Sequence, residues 1–281
     1  MTLELISNVQ CFNGEQRRYR HASAVNQCDM TFSVFVPPGA TATHPRPMVV
    51  WLSGLTCTDE NFVQKAGAQR IAAELNILLL CPDTSPRGSG VPDDSDKAWD
   101  FGLGAGFYVN ATQAPWHKHY RMFDYVNEEL PALVAEHVPW NGRASICGHS
   151  MGGHGALVSA LRLPERYQSA SAFAPIAHPS QCPWGRKAFS HYLGDSPDSW
   201  QAYDTCELLN RTPSELPIRI DQGEADNFLS EQLHIDHLQS IAPSQAPNMR
   251  IHRHAGYDHS YFFIATFIEA HLRFHAGHLT Q

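Results

Sequence analysis

The chain is expected to be a doubly wound α/β protein, and three observations carry that expectation. Continuous apolar runs recur at Met48–Leu52 and Ile77–Cys81, with a shorter one at Ser145–Cys147, as strands buried on both faces of a parallel sheet do. Stretches with helical spacing alternate with them, as in Phe62–Leu75 and Met122–His137. No repeat, low-complexity tract or linker breaks the alternation, so residues 1–281 are expected to form a single domain with helices on both faces of the sheet.

Taken in order, residues 3–12 and Cys28–Val36 alternate apolar and polar side chains and stop at Pro37-Pro38-Gly39. That pattern predicts antiparallel edge strands ahead of the parallel part. Met48–Leu52, a helix over Phe62–Leu75 and a strand at Ile77–Cys81 make a βαβ unit with a right-handed crossover. Residues 83–118 are rich in Gly, Asp and Pro but carry Trp99, Phe101, Phe107, Tyr108 and Trp116. An irregular segment that long is expected to be functional, and its aromatics predict a packed wall. A helix at Met122–His137, a strand and helix over 144–162, and a strand at Gln168–Pro175 follow. Residues 176–211 read as a second irregular insertion with short helices. The chain closes with a strand at Pro217–Asp221, a helix near Ser230–Ile241, a strand over 249–254, a loop at Ala255–Ser260 and a long final helix.

Composition excludes several classes of function. A net charge of −8 leaves no basic footprint for nucleic acid or an anionic membrane. No apolar stretch has the length of a membrane span, and the first residues lack a signal-like core, so a cytoplasmic location is expected. Seven scattered cysteines without a Cys-x-x-Cys spacing predict reduced thiols. The seventeen histidines include His117/His119, His234/His237 and His252/His254, but none of these pairs has a third ligand close in sequence, and no metal is expected.

The chemistry centres on Gly148-His149-Ser150-Met151-Gly152, a Gly-x-Ser-x-Gly pentapeptide between an apolar strand and a small-residue helix start. A serine on so sharp a turn needs glycines beside it, because side chains there would collide with strand or helix. Its hydroxyl needs a base, and the base an orienting acid. In the α/β-hydrolase arrangement the order is Ser, acid, His, each after a sheet strand. The acid therefore falls among Asp221, Glu224 and Asp226; Asp226, in the loop, is best placed to curl over the sheet edge. His259, in the loop after the last strand, is the expected base, whereas His252 and His254 lie within the strand, and His149 and His154 flank the serine too rigidly. Oxyanion donors are expected from the backbone of Met151, just after the serine, and of Leu55 in Ser53-Gly54-Leu55-Thr56.

Six runs together give the chain a resemblance. They are Ser53–Thr58, Asp100-Phe101-Gly102 with Gly104–Tyr108, Gly148–Leu157, Cys182-Pro183-Trp184-Gly185, Asp221-Gln222-Gly223 with Asp226–Leu229, and Gly256–Tyr261. With them the sequence resembles the S-formylglutathione hydrolase (esterase D) family nearly from end to end. The resemblance implies an α/β-hydrolase fold, thioester hydrolysis completing glutathione-dependent formaldehyde detoxification, no cofactor, and a homodimer. Its triad falls on Ser150, Asp226 and His259 and its oxyanion donors on Leu55 and Met151, the residues already chosen by strand order. Asn110 departs from it, since the family more often carries Asp there, which puts local loop bonding in question. Cys57 is read as a modulator beside the site and Trp184 as a wall of the substrate pocket. A short-chain carboxylesterase or deacetylase on the same triad, acyl transfer to another acceptor, and a silent hydrolase-fold binding protein stay open.

Overall fold

A computed structural model describes residues 3–280. Nine strands form one sheet in the order β1-β2-β3-β5-β4-β6-β7-β8-β9. Leu3–Cys11 (β1), Gly14–Ser23 (β2) and Cys28–Val36 (β3) pair antiparallel, and β3 joins β5 (Leu78–Pro82) in the same sense. From β5 onward every pairing is parallel, through β4 (Arg46–Leu52), β6 (Trp140–His149), β7 (Tyr167–Phe173), β8 (Ile218–Gly223) and β9 (Met249–His254). The doubly wound, mostly parallel sheet with antiparallel N-terminal strands is the expected one.

Several elements differ from the sequence reading: the helices expected over Met122–His137 and near Ser230–Ile241 each include a π-helical stretch, at Tyr125–Glu129 and Leu229–Leu233, and two further differences are larger. Strand β2 was not expected, because its inward face is made of Tyr19, His21 and Ser23 and Glu15, Gln16, Arg17, Arg18 and Arg20 fill most of the rest, so no apolar alternation marks it. The helix expected over Phe62–Leu75 is two helices, α1 (Glu60–Lys65) and α2 (Ala68–Leu75). Gly67 between them takes φ +65°, a left-handed turn that glycine adopts without strain.

The central strands supply the core. Met48 to Leu52 and Leu78 to Leu80 are buried, and Trp51 stacks on Phe62 with ring centres 3.9 Å apart. Helix α3 (Leu130–His137) precedes β6, and α4 (Met151–Arg162) begins directly after Ser150. Helices α5 (Pro183–Leu193) and α6 (Thr205–Arg211) occupy the 176–211 insertion, α7 (Ile235–Gln245) precedes β9, and α8 (Tyr261–Leu279) closes the chain. Within 83–118, Phe101, Phe107, Tyr108 and Trp116 are buried as expected, whereas Trp99 is 53% exposed. Among the described residues, no helix is long and apolar enough to cross a membrane, and all seven cysteines are free thiols.

Candidate active site

Ser150 sits at the exit of β6 with φ +58° and ψ −119°, a strained conformation for a residue with a side chain. The flanking glycines let the turn close. A Cβ on Gly148 would run into the carbonyl of Gly152, and one on Gly152 into that of Leu52. The turn is fixed by Ser150 N donating to the Phe173 carbonyl at 3.0 Å and His154 N donating to the Ser150 carbonyl at 3.0 Å. The serine thus stands at the N-terminal, partially positive end of α4.

Asp226 and His259 come from two neighbouring loops that the backbone joins. Glu224 N donates to the His254 carbonyl at 3.0 Å and Ala225 N to the Tyr257 carbonyl at 2.9 Å. Gly223 permits the approach, since a Cβ there would meet the Tyr257 carbonyl. His259 Nδ1 then lies 2.5 Å from Asp226 Oδ2, while Asp226 Oδ1 accepts from Phe228 N at 2.8 Å. The Asp226 side chain is shut off from solvent and that of His259 is only partly exposed. An ionised carboxylate only accepts hydrogen bonds, so Nδ1 carries the proton and the lone pair sits on Nε2.

Ser150 and His259 line one cavity of about 140 Å³, with Gly54, Leu55 and Cys57 from the loop after β4. That loop is anchored by Tyr108 Oη donating to the Ser53 carbonyl at 2.8 Å and by Thr56 N donating to the Gly104 carbonyl at 2.9 Å. Gly54 allows the loop to approach the serine: a Cβ there would stand 3.1 Å from the Ser150 Cβ. The Met151 amide, first in α4, has no intrahelical acceptor. Among the described residues neither it nor the Leu55 amide is matched with a hydrogen-bond acceptor. Burial pushes the Cys57 thiol up, so it is held protonated beside the cavity. Trp184 lines the cavity, packed on Phe228 with ring centres 4.8 Å apart.

Trp99, one of the bulky residues of the 83–118 segment, also lines it, and three further residues of this cavity went unmarked in the sequence: His149, Phe228 and Tyr261. His149, set aside as too rigid to reach the serine oxygen, lies against the His259 ring with centres 4.4 Å apart. Burial holds its imidazole well below the usual histidine range, so it faces His259 neutral. The strand histidine His254 is bonded to Asp221, and His154 Nε2 donates to the Phe107 carbonyl at 2.9 Å. Asn110 holds its loop through Nδ2 donating to Asp124 Oδ1 at 2.6 Å and Oδ1 accepting from Asp124 N at 3.1 Å. An Asp at 110 would set two carboxylates face to face there. Asp204 lies close to His178 and Cys206 in a group of potential metal ligands. Its oxygens are already engaged by His178, Ser180 N and the first amides of α6, which makes it a helix cap. A wider groove of about 870 Å³ lies at the opposite strand ends, lined by Arg162, Tyr167 and Pro217, away from the serine.

A strained serine on a strand-to-helix turn, with an Asp-bound histidine across one cavity from it, defines a hydrolase of the α/β-hydrolase fold. The chain belongs to the esterase family: the family model described as "Putative esterase" matches residues 23–274. It is similar to a solved S-formylglutathione hydrolase from Agrobacterium tumefaciens, at 45% identity and a TM-score of 0.94, over 98% of this chain and 99% of that one. Its fold is shared with a fluorophosphonate-binding serine hydrolase of Staphylococcus aureus, at 17% identity, TM-score 0.73, and 94% and 98% coverage. A ferulic acid esterase of Anaeromyces mucronatus shares it at 16% identity, TM-score 0.65, and 98% and 92% coverage.

Proposed function

We propose that the chain hydrolyses S-formylglutathione to formate and glutathione through a formyl-serine intermediate, as a step in formaldehyde detoxification. The observation that carries the reading is the Asp226–His259 bond of 2.5 Å behind a cavity that also holds Ser150. The likeness to the Agrobacterium enzyme supports the substrate, and a chamber of about 140 Å³ suits a very small acyl group.

In this reading His259 Nε2 takes the Ser150 proton as the oxygen attacks the formyl carbon. The carbonyl oxygen becomes an oxyanion held by the Leu55 and Met151 amides. Asp226 fixes the imidazole tautomer and stabilises the imidazolium. The C–S bond breaks, glutathione leaves as thiolate and takes up the proton, and water attacks the formyl ester with His259 again as base. Trp184 walls the pocket and Cys57 acts beside it as a modulator, not a nucleophile. The reaction as proposed draws on no cofactor or metal. Residues 1–281 would work as one domain, as a homodimer in the cytoplasm.

A thiol with a pKa of about 8.5 leaves with little protonation, so a thioester should turn over faster than the matched alkyl ester. Comparing S-formylglutathione with an alkyl formate tests this. A clear excess of kcat/KM for the thioester is expected, and equal rates would remove the thioesterase reading.

A further inference from the structure

Asp93 to Gly104 form a strap that carries Trp99 to the mouth of the cavity and is tied at both ends. Asp93 Oδ1 accepts from Leu103 N at 3.0 Å and from Asp94 N at 2.9 Å, which draws the ends together. Gly102 at φ +79° makes the return turn, and its amide donates to Tyr192 Oη at 3.2 Å. From α5, Lys187 Nζ reaches across to Asp100 at 2.6 Å and to Asp94 at 3.6 Å. Those two acids bracket Trp99 in sequence, so one ammonium staples both sides of the indole.

Trp99 itself is 53% exposed yet lines the cavity, edge-on to Trp184 with ring centres 5.4 Å apart. Leaving half an indole in water forgoes burial energy that a core position would have gained. The strap spends three acidic residues and a lysine on holding it there. Trp184, in contrast, is buried between Trp99 and Phe228, and its amide donates to Gln232 Oε1 at 3.1 Å. Removing Trp184 would hollow the interior, whereas removing Trp99 would open the chamber outward.

We propose that Trp99, positioned by Lys187, is the outer wall that limits the length of the acyl group held on Ser150. This rests on the reading of that cavity as the acyl chamber of a serine hydrolase. With the indole in place the chamber of about 140 Å³ admits only a few heavy atoms. Without it, a longer chain can run out through the gap beside Trp184.

The test uses the full chain with p-nitrophenyl acetate, butyrate and hexanoate, which vary the acyl group at a constant leaving group. The wild type should lose kcat/KM steeply with chain length. Trp99→Ala should raise the hexanoate-to-acetate ratio of kcat/KM by about tenfold or more. Lys187→Met should shift the ratio in the same direction by less, and Trp99→Leu provides a second truncation should the alanine variant melt early. Two outcomes overturn the inference: an unchanged ratio in folded Trp99 variants that still cleave acetate, or an effect seen only when the leaving thiol is varied at constant acetyl. A wild type that cleaves no ester and leaves Ser150 unacylated would instead sink the hydrolase reading itself.

Discussion

This molecule carries two sets of serine, acid and histidine in the same order of sequence. One is Ser150, Asp226 and His259 at the cavity. The other is Ser171, Asp221 and His271, closed inside the protein between β7, β8 and α8, where all three are fully buried. His271 Nε2 lies 2.9 Å from Asp221 Oδ2, and its Nδ1 lies 2.8 Å from Ser171 Oγ. Asp221 can only accept, so His271 Nε2 donates and Nδ1 must accept from Ser171. Ser171 then accepts from His275 Nε2 at 2.7 Å, and His275 Nδ1 accepts from Ser169 at 2.8 Å. Ser169 in turn accepts from Ser145 at 2.8 Å, and every proton along the line has one assigned direction.

The contrast separates pairing from reactivity. Burial alone would raise the Asp221 carboxyl, but hydrogen bonds from His271 and the Arg219 guanidinium hold it well below the usual range. Burial pushes His271 down to about 4, so it stays a neutral donor. In that set both ring nitrogens are used, and the serine lies fully buried within β7. In the other, His259 has only its Nδ1 engaged among the described residues, and Ser150 is strained. What distinguishes the outer set is one unused lone pair and somewhere for a substrate to stand.

The comparison breaks most sharply on the serines. Ser150→Ala should cost on the order of 10⁴-fold or more in kcat with p-nitrophenyl acetate, while Ser171→Ala should leave it within about twofold. Comparable losses in both would erase the distinction. Next in size, Asp221→Asn should destabilise the fold by roughly 3–5 kcal/mol in urea unfolding, because Arg219 loses a buried ionic partner and His271 its acceptor. Turnover per folded molecule should be unchanged. The smallest effect is on pH. His271 titrates near 4 when folded and at its ordinary value of about 6.5 when unfolded, so the unfolded chain takes up the proton first. Its contribution is complete above about pH 6.5 and is lost as pH falls toward 4, by roughly 3 kcal/mol at the limit. His271→Gln should flatten the dependence of the urea midpoint on pH over that window; an unaltered slope would mean the imidazole is not neutral inside.

The serine turn and the Asp226–His259 pair were legible in the sequence because their requirements are local. Gly148 and Gly152 announce the turn, and strand order confines the acid and base to two short loops. Choosing Asp226 over Asp221 needed only the rule that a reactive acid lies beyond its strand; the structure gives Asp221 to Arg219, His254 and His271 instead. The inner chain was not legible, since His271 and His275 on α8 look like members of a polar face until the sheet serines beneath them are known. Strand β2 hid for a related reason: a buried face of Tyr, His and Ser satisfies itself by hydrogen bonds, as His21 does with Tyr125 at 3.1 Å. His149, Phe228 and Tyr261 were missed because cavity walls are assembled from parts of the chain with no common periodicity.

The backbone ties between the 223–227 and 255–259 loops carry a mechanical corollary. Acid and imidazole belong to one small plate, and the strained serine to another built on β6 and α4. Thermal jostling, or an insertion in either loop, should therefore shift the plate as a unit and open the space in front of Nε2 before it parts the carboxylate from the ring.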